Sequence, residues 1–130
     1  MTDNQNQKAR VLVVDDSKPI RVYLRRILTD LHADVVAEGG NGNEAVACFK
    51  STSPDLTLLD INMPMMDGRA ALKEILKVQP EARVVMLTSI NDGSIVAECI
   101  DGGAINYLLK DMSKEELIAE LKSVLEAVAK

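Results

Sequence analysis

The sequence predicts an α/β protein: a doubly wound, five-stranded parallel sheet of (βα)5 type, with helices on both faces. The first observation is that apolar runs such as Val11–Val14 and Leu56–Leu59 are continuous, as in strands buried on both faces. The second is that five such runs alternate with segments of helical periodicity. Because the connections between them are short, we expect right-handed crossovers and a parallel sheet.

The predicted strands are short apolar runs that end at polar or turn residues. They are Arg10–Val14, Asp34–Ala37, Leu56–Leu59, Arg83–Leu87 and Ile105–Leu109. The first helix is predicted to begin after Ser17 as its cap, with Pro19 in its first turn. The second follows the turn Gly39–Gly42, which we interpret as requiring positive φ, and Asn43 is its predicted cap.

Of the last three helices, the third and the fifth have clear boundary signals, whereas the fourth is the least regular. The third follows Asp67-Gly68 and is expected to stop near Gln79, because the next residue is a proline. The fourth, near Gly93 to Asp101, carries apolar residues all round, so it is either deeply buried or offers a surface to a partner. The fifth begins with the capping-box pattern Ser113-x-x-Glu116.

Length and charge limit the classes of function. The 130 residues suit one domain, over residues 9–130, after a flexible polar tail at residues 1–8. A net charge of −5 argues against direct nucleic-acid binding. No apolar run reaches the length of a membrane span and no leader opens the chain, so we expect a cytoplasmic protein. Cys48 and Cys99 are predicted to be free, buried or half-buried thiols.

Polar side chains follow four of the five predicted strands. Asp15 and Asp16 end the first, Asp60 the third, Thr88 the fourth and Lys110 the fifth. The carboxyl ends of parallel strands form the ligand-binding edge of such sheets. Three carboxylates there repel one another and need a cation, for which Mg²⁺ is the oxygen-seeking choice. Together with the hydroxyl and the amine, they predict a metal site beside an anion site.

Four motifs carry a family resemblance: Val-Val-Asp15-Asp16-Ser, Leu-Leu-Asp60-Ile-Asn-Met-Pro, Leu-Thr88-Ser and Tyr107-Leu-Leu-Lys110. With these motifs the chain, from Arg10 to about Val128, resembles the receiver domains of two-component response regulators, in particular single-domain chemotaxis regulators. The resemblance implies a flavodoxin-like fold with strand order 2-1-3-4-5.

The resemblance also implies residue roles. Asp60 would accept a phosphoryl group from a sensor histidine kinase or a phosphotransfer protein. Asp15, Asp16, Asp60 and the backbone carbonyl of Asn62 would bind Mg²⁺. Lys110 would pair with a phosphoryl oxygen or, before transfer, with Asp60.

Switching and output are implied in the same way. Thr88 would bind the phosphoryl group and Tyr107 would be the switch aromatic residue. The fourth helix, fifth strand and fifth helix would then bind a downstream protein, without direct contact to nucleic acid or membrane. The domain would be a monomer or a phosphorylation-dependent dimer, and would catalyse only its own phosphorylation and dephosphorylation.

The chain departs from the family pattern at two positions. Asp111 replaces the proline that commonly follows the lysine, so we expect a trans peptide there, or a strained cis bond. Ile90 is apolar and cannot orient a hydrolytic water, although Asn62 can, so self-dephosphorylation is predicted to be slower than in relatives that are polar at both positions. His32 is expected to be a surface residue at a helix C-terminus, not a phosphoryl carrier.

Several alternatives stay open at this point. The chain is either a stand-alone receiver or a receiver excised from a longer DNA-binding or enzymatic regulator. A haloacid-dehalogenase-type phosphatase is a rival from another class, but it usually has Asp-x-Asp after its first strand, where this chain has Asp15-Asp16-Ser17. A degenerate scaffold would lack a site residue, and none is missing here.

Overall fold

The structure is a computed structural model that describes residues 8–89 and 93–128. Five strands alternate with five helices in the described chain. They are β1 (Arg10–Val14), α1 (Lys18–Asp30), β2 (Asp34–Gly39), α2 (Gly42–Thr52), β3 (Leu56–Asp60), α3 (Gly68–Val78), β4 (Val84–Thr88), α4 (Gly93–Asp101), β5 (Asn106–Leu109) and α5 (Lys114–Val128). The predicted elements are therefore all present, with ends that differ by one or two residues.

All strand pairs are parallel and the order is β2-β1-β3-β4-β5, as the family resemblance implied. Strands β1, β3 and β4 lie inside the sheet, and β3 and β4 are buried along their whole length. The sheet separates two apolar clusters, since alternate residues point to opposite faces. One cluster packs against α1 and α5, and the other against α2, α3 and α4.

Helix boundaries follow local chemistry, with two corrections to the sequence predictions. Asn41, not Asn43, caps α2: its backbone is extended and its side chain accepts a hydrogen bond from the Glu44 N–H at 2.9 Å. Ser17 occupies the cap position of α1, but its side chain makes no capping hydrogen bond. The capping box of α5 is confirmed, because Ser113 and Glu116 exchange side-chain to backbone hydrogen bonds at 3.1 Å.

The turn before α2 also differs from its prediction. Among the described glycines only Gly103 has positive φ, so the turn does not require left-handed backbone. Gly42 is needed for space, because a Cβ there would lie 2.2 Å from the Met66 carbonyl oxygen. Met65, in the same loop between β3 and α3, is 81% exposed.

The end of α3, His32 and the two cysteines agree with the sequence predictions. α3 ends at Val78, and Gln79 is extended as the following proline requires. His32 is an exposed residue after α1 with φ of 66°. Both cysteines are free, Cys99 buried and Cys48 half-buried. Within the described ranges no helix combines the length and apolar character that a membrane crossing needs.

Candidate functional site

Three carboxylates meet at the carboxyl edge of the sheet. Asp15 follows the last residue of β1, and its N–H donates to the Gly39 carbonyl of β2 at 3.0 Å. Asp60 is the final residue of β3, in register with Leu87 of β4. Carboxylate oxygens of Asp15, Asp16 and Asp60 all lie within 4.8 Å of one another. Because Asp15 and Asp60 are buried and Asp16 is exposed, the cluster opens to solvent on one side.

Lys110 supplies the positive charge at this cluster. Its Nζ lies 2.6 Å from Asp15 Oδ2 and 3.1 Å from Asp60 Oδ2. The residue is held at the end of β5 because its N–H donates to the Thr88 carbonyl at 2.8 Å. Burial opposes its charge, yet the hydrogen bond to Asp15 and the charge of Asp60 raise the pKa of Lys110. The ammonium therefore stays protonated between two buried carboxylates.

One ammonium does not balance the acidic cluster. Burial, followed by the charge of Asp15, raises the pKa of Asp60 from 3.8 to about 6, although Lys110 and the Asn62 N–H lower it. Because the ionised form of Asp60 is disfavoured, a further cation bound beside it would stabilise the carboxylate. The available donors are carboxylate oxygens, so the residues fit a hard cation such as Mg²⁺ better than a soft metal.

The Asn62 backbone lies next to the same carboxylate. Its N–H points to Asp60 Oδ1, 3.3 Å away, and its side chain is exposed. This contact holds the start of the β3–α3 loop close to Asp60. The assignment of the Asn62 carbonyl as a metal ligand stays a prediction.

Thr88 and Tyr107 lie on neighbouring strands. Thr88 is buried at the end of β4, one strand away from Asp60. Tyr107 of β5 is in register with Met86 of β4 and is 38% exposed, whereas its neighbour Leu108 is buried. Tyr107 therefore points away from the α1/α5 core cluster, because successive residues of a strand point to opposite faces of the sheet. Thr88 of β4 is paired with Leu109, and Tyr107 lies two residues before Leu109 on β5.

Arg21 and its partner Glu38 are neighbours of the site that the sequence predictions missed. Arg21 of α1 donates from Nη1 to the Asp15 carbonyl at 2.6 Å, and from Nε to Glu38 Oε1 of β2 at 3.2 Å. Arg25, one turn later, also forms an ion pair with Glu38. One signal in the sequence could have identified this pair. Arg21 is a basic residue on the apolar side of the amphipathic helix α1, and Glu38 is an acidic residue in the half-buried strand β2.

Two departures from the family pattern have different outcomes. The described chain contains no cis peptide bond, so the Lys110–Asp111 bond is trans, the first of the two alternatives that the sequence left open. Ile90 lies outside the described residues, and the prediction of slow dephosphorylation stays untested.

Comparison with known proteins identifies the family. The family model of the response regulator receiver domain matches residues 11–122. The chain is 37% identical over 116 residues to the chemotaxis protein CheY of Bacillus subtilis (strain 168), covering 89% of this chain and 97% of that protein. It is 35% identical over 122 residues to the transcriptional regulatory protein DegU of Brevibacillus brevis, covering 93% of this chain and 51% of that protein.

Solved structures agree with this result. The chain resembles a CheX-CheY-BeF3-Mg+2 complex from Borrelia burgdorferi with a TM-score of 0.88 and 28% identity, over 95% of this chain and 94% of that chain. It also resembles the receiver domain of the putative response regulator NarL from Mycobacterium tuberculosis, with a TM-score of 0.84 and 32% identity over 94% and 97% of the two chains. The chain therefore belongs to the CheY-like receiver domains of two-component response regulators, which are signalling proteins and not classical enzymes.

Proposed function

We propose that this receiver accepts a phosphoryl group on Asp60 in a Mg²⁺-dependent reaction, and that the modification switches binding to a downstream protein. The donor would be the phosphohistidine of a sensor histidine kinase or a phosphotransfer protein. The observation that carries the proposal is a buried Asp60 carboxylate beside two further carboxylates and one ammonium. The Borrelia burgdorferi neighbour, solved with BeF3 and magnesium, supports the same use of the site.

The reaction follows from the positions of the charged groups. An oxygen of Asp60 attacks phosphorus, a P–O bond forms, and the P–N bond to the donor imidazole breaks. Lys110, 3.1 Å from Asp60 Oδ2, remains in place to neutralise an oxygen of the transferred group. Asp15, Asp16, Asp60 and the Asn62 carbonyl would hold Mg²⁺, which supplies positive charge to the phosphoryl oxygens when bound.

Switching would start at Thr88, whose hydroxyl would donate to the phosphoryl group, and would continue to Tyr107. Apolar side chains near this strand pair are already exposed, namely Ile100 of α4, Ile105 before β5 and Tyr107 itself. A downstream protein that binds α4, β5 and α5 would cover this surface. Phosphorylation needs to favour the binding-competent state by only about 3 kcal/mol.

Two alternatives remain distinct from this proposal. The chain spans about half of DegU, a transcriptional regulatory protein, which supports a receiver that works within a longer regulator. In that case the face of α4, β5 and α5 would bind an attached or partner domain. Membership of the receiver family argues against a haloacid-dehalogenase-type phosphatase.

The proposal is tested by incubating the protein with acetyl phosphate, with and without Mg²⁺, and measuring its intact mass. We expect a Mg²⁺-dependent gain of one phosphoryl group that Asp60→Asn abolishes. Asp101→Asn, which removes an exposed carboxylate at the end of α4, is the matched control and should be phosphorylated normally. Phosphorylation of Asp60→Asn, or no gain in the wild type under any condition, would refute the proposal.

A further inference from the structure

We infer that Arg21 is a positioning residue for the cation site, and that Glu38 holds Arg21 in place for this task. The inference rests on the proposed Mg²⁺-dependent function. Arg21 bridges two elements: Nη1 lies 2.6 Å from the Asp15 carbonyl oxygen and Nε lies 3.2 Å from Glu38 Oε1. Both side chains are only 19% exposed, so the bridge is shielded from competing water.

The contacted carbonyl belongs to the peptide group that joins Asp15 to Asp16. Because a peptide group is planar, fixing its oxygen also fixes the direction in which the chain enters Asp16. Two further hydrogen bonds hold Asp15: its N–H donates to the Gly39 carbonyl, and the Ser17 N–H donates to Asp15 Oδ1 at 2.9 Å. Asp16 lies beyond the last residue of β1 and its side chain is exposed. Arg21 therefore restricts the peptide that aims the exposed carboxylate of the cluster.

Glu38 also neutralises the positive charge that Arg21 brings close to the cation site. An unpaired guanidinium this close to the cluster would repel a divalent cation, and the Glu38 carboxylate offsets its charge. The second arginine on Glu38, Arg25, is 57% exposed, so solvent screens its charge. The arrangement thus delivers a strong hydrogen bond to the site with little added positive potential.

A purely structural role predicts a different result. If the ion pair only fastens α1 to β2, then Arg21 and Arg25 should behave alike, because both pair with Glu38. Of the two, Arg21 is the one for which the described chain shows a hydrogen bond to Asp15. Arg25 is therefore the matched control: it shares the carboxylate and the helix, but not the contact to the acidic cluster.

The test is isothermal titration of Mg²⁺ into the full chain, for the wild type, Arg21→Met and Arg25→Met. Methionine keeps the apolar stem of the arginine side chain. We expect Arg21→Met to bind Mg²⁺ about tenfold more weakly, as for other residues that orient metal ligands, and Arg25→Met to change affinity by less than about twofold. Phosphorylation of Arg21→Met by acetyl phosphate should recover at saturating Mg²⁺. Equal losses in both variants, or none in Arg21→Met, would overturn the inference.

Two further measurements keep the outcomes separate. Thermal unfolding in a chelator reports whether each variant is folded, and if Arg21→Met is not, Arg21→Lys replaces it. A single ammonium cannot reach both acceptors with the geometry of a guanidinium, so a several-fold loss of Mg²⁺ affinity is expected, and wild-type affinity would overturn the inference. If the wild type itself fails to bind Mg²⁺, the proposed function and this inference fall together. Wild-type binding with an unaffected Arg21→Met removes the inference alone.

Discussion

At the scale of single residues, Thr57 is a polar group at odds with its surroundings. It lies in the middle strand β3, completely buried, between Leu12 of β1 and Val84 of β4 in register. Its hydroxyl oxygen is buried without a hydrogen-bond partner in the described structure. A buried polar group in this state carries the full loss of its hydration.

Replacing Thr57 by valine should therefore stabilise the protein. The side chain keeps its shape and loses the unpaired hydroxyl, so we expect the free energy of unfolding to rise by about 1 kcal/mol. Urea denaturation with an unchanged m-value is the measurement. Thr52→Val is the control, because the Thr52 hydroxyl donates to the Cys48 carbonyl at 2.7 Å and its removal should bring no gain. A loss of stability in Thr57→Val would show that the hydroxyl is satisfied.

At the scale of elements, the start of α3 depends on the backbone of β3. The Gly68 N–H donates to the Ile61 carbonyl at 2.8 Å, and a Cβ on Gly68 would lie 2.2 Å from the Asp60 carbonyl oxygen. Helix and strand approach this closely because no side chain stands between them. The position of the Asp60 backbone is thus coupled to the first residue of the next helix.

Gly68→Ala should consequently disturb both stability and the site. Forcing backbone apart typically costs about 1 to 3 kcal/mol, so we expect unfolding at lower denaturant and slower phosphorylation by acetyl phosphate. Gly93→Ala at the start of α4 is the matched control, since within the described residues a Cβ there meets no atom beyond its own chain neighbours and helix backbone within 4 Å. That variant should be as stable as the wild type or slightly more so. If both variants behave alike, the close approach at Gly68 is not what limits the substitution.

The cap of α2 gives a second prediction for an element. The Asn41 side chain satisfies the Glu44 N–H, so Asn41→Ala should lower the free energy of unfolding by about 1 kcal/mol. Asn43, the residue favoured by sequence alone, lies exposed inside the first turn. Asn43→Ala should leave stability unchanged or raise it slightly, since alanine has the higher helix propensity. Thermal unfolding of the two variants distinguishes the cap from its neighbour.

These elements also show how far sequence reasoning reaches. Continuous apolar runs predicted the five strands, and the acids at their ends predicted the clustered carboxylates. Both signals are local, and a parallel sheet brings the carboxyl ends of its strands to the same edge. The cap of α2 was misplaced because β2 continues to Gly39, past an irregular pairing with β1 near Leu12. Arg21 was missed because its partners, the Asp15 carbonyl and Glu38, come together only through tertiary packing.

At the scale of the whole molecule, the sheet brings like charges together that the unfolded chain keeps apart. The core clusters on the two faces bury Asp15 and Asp60 at the sheet edge, and the Lys110 ammonium offsets only part of their charge. Global stability must therefore depend on the ionisation of the site. The pKa of Asp60 makes the direction of this dependence explicit.

In the metal-free protein the pKa of Asp60 is raised from 3.8 to about 6, mainly by burial and by Asp15. Between these values the folded protein keeps a proton that the unfolded chain has released, so the free energy of unfolding falls as pH rises through about 6. The penalty persists at neutral pH and is on the order of 2 to 3 kcal/mol. Asn cannot ionise, so Asp60→Asn should be more stable than the wild type near neutral pH in a chelator.

The advantage of Asp60→Asn should shrink by about 1 kcal/mol when pH is lowered from about 7.5 to about 5, because the wild-type carboxyl becomes protonated. Urea titrations at both pH values measure this change, and Asp101→Asn, with its exposed carboxylate, controls for the loss of one negative charge. Bound Mg²⁺ should also reduce the advantage of Asp60→Asn. A cation bound to ionised carboxylates stabilises the wild type more than the variant, by linkage to the folded state. A pH-independent advantage that Mg²⁺ leaves unchanged would mean that Asp60 does not carry the electrostatic penalty of the fold.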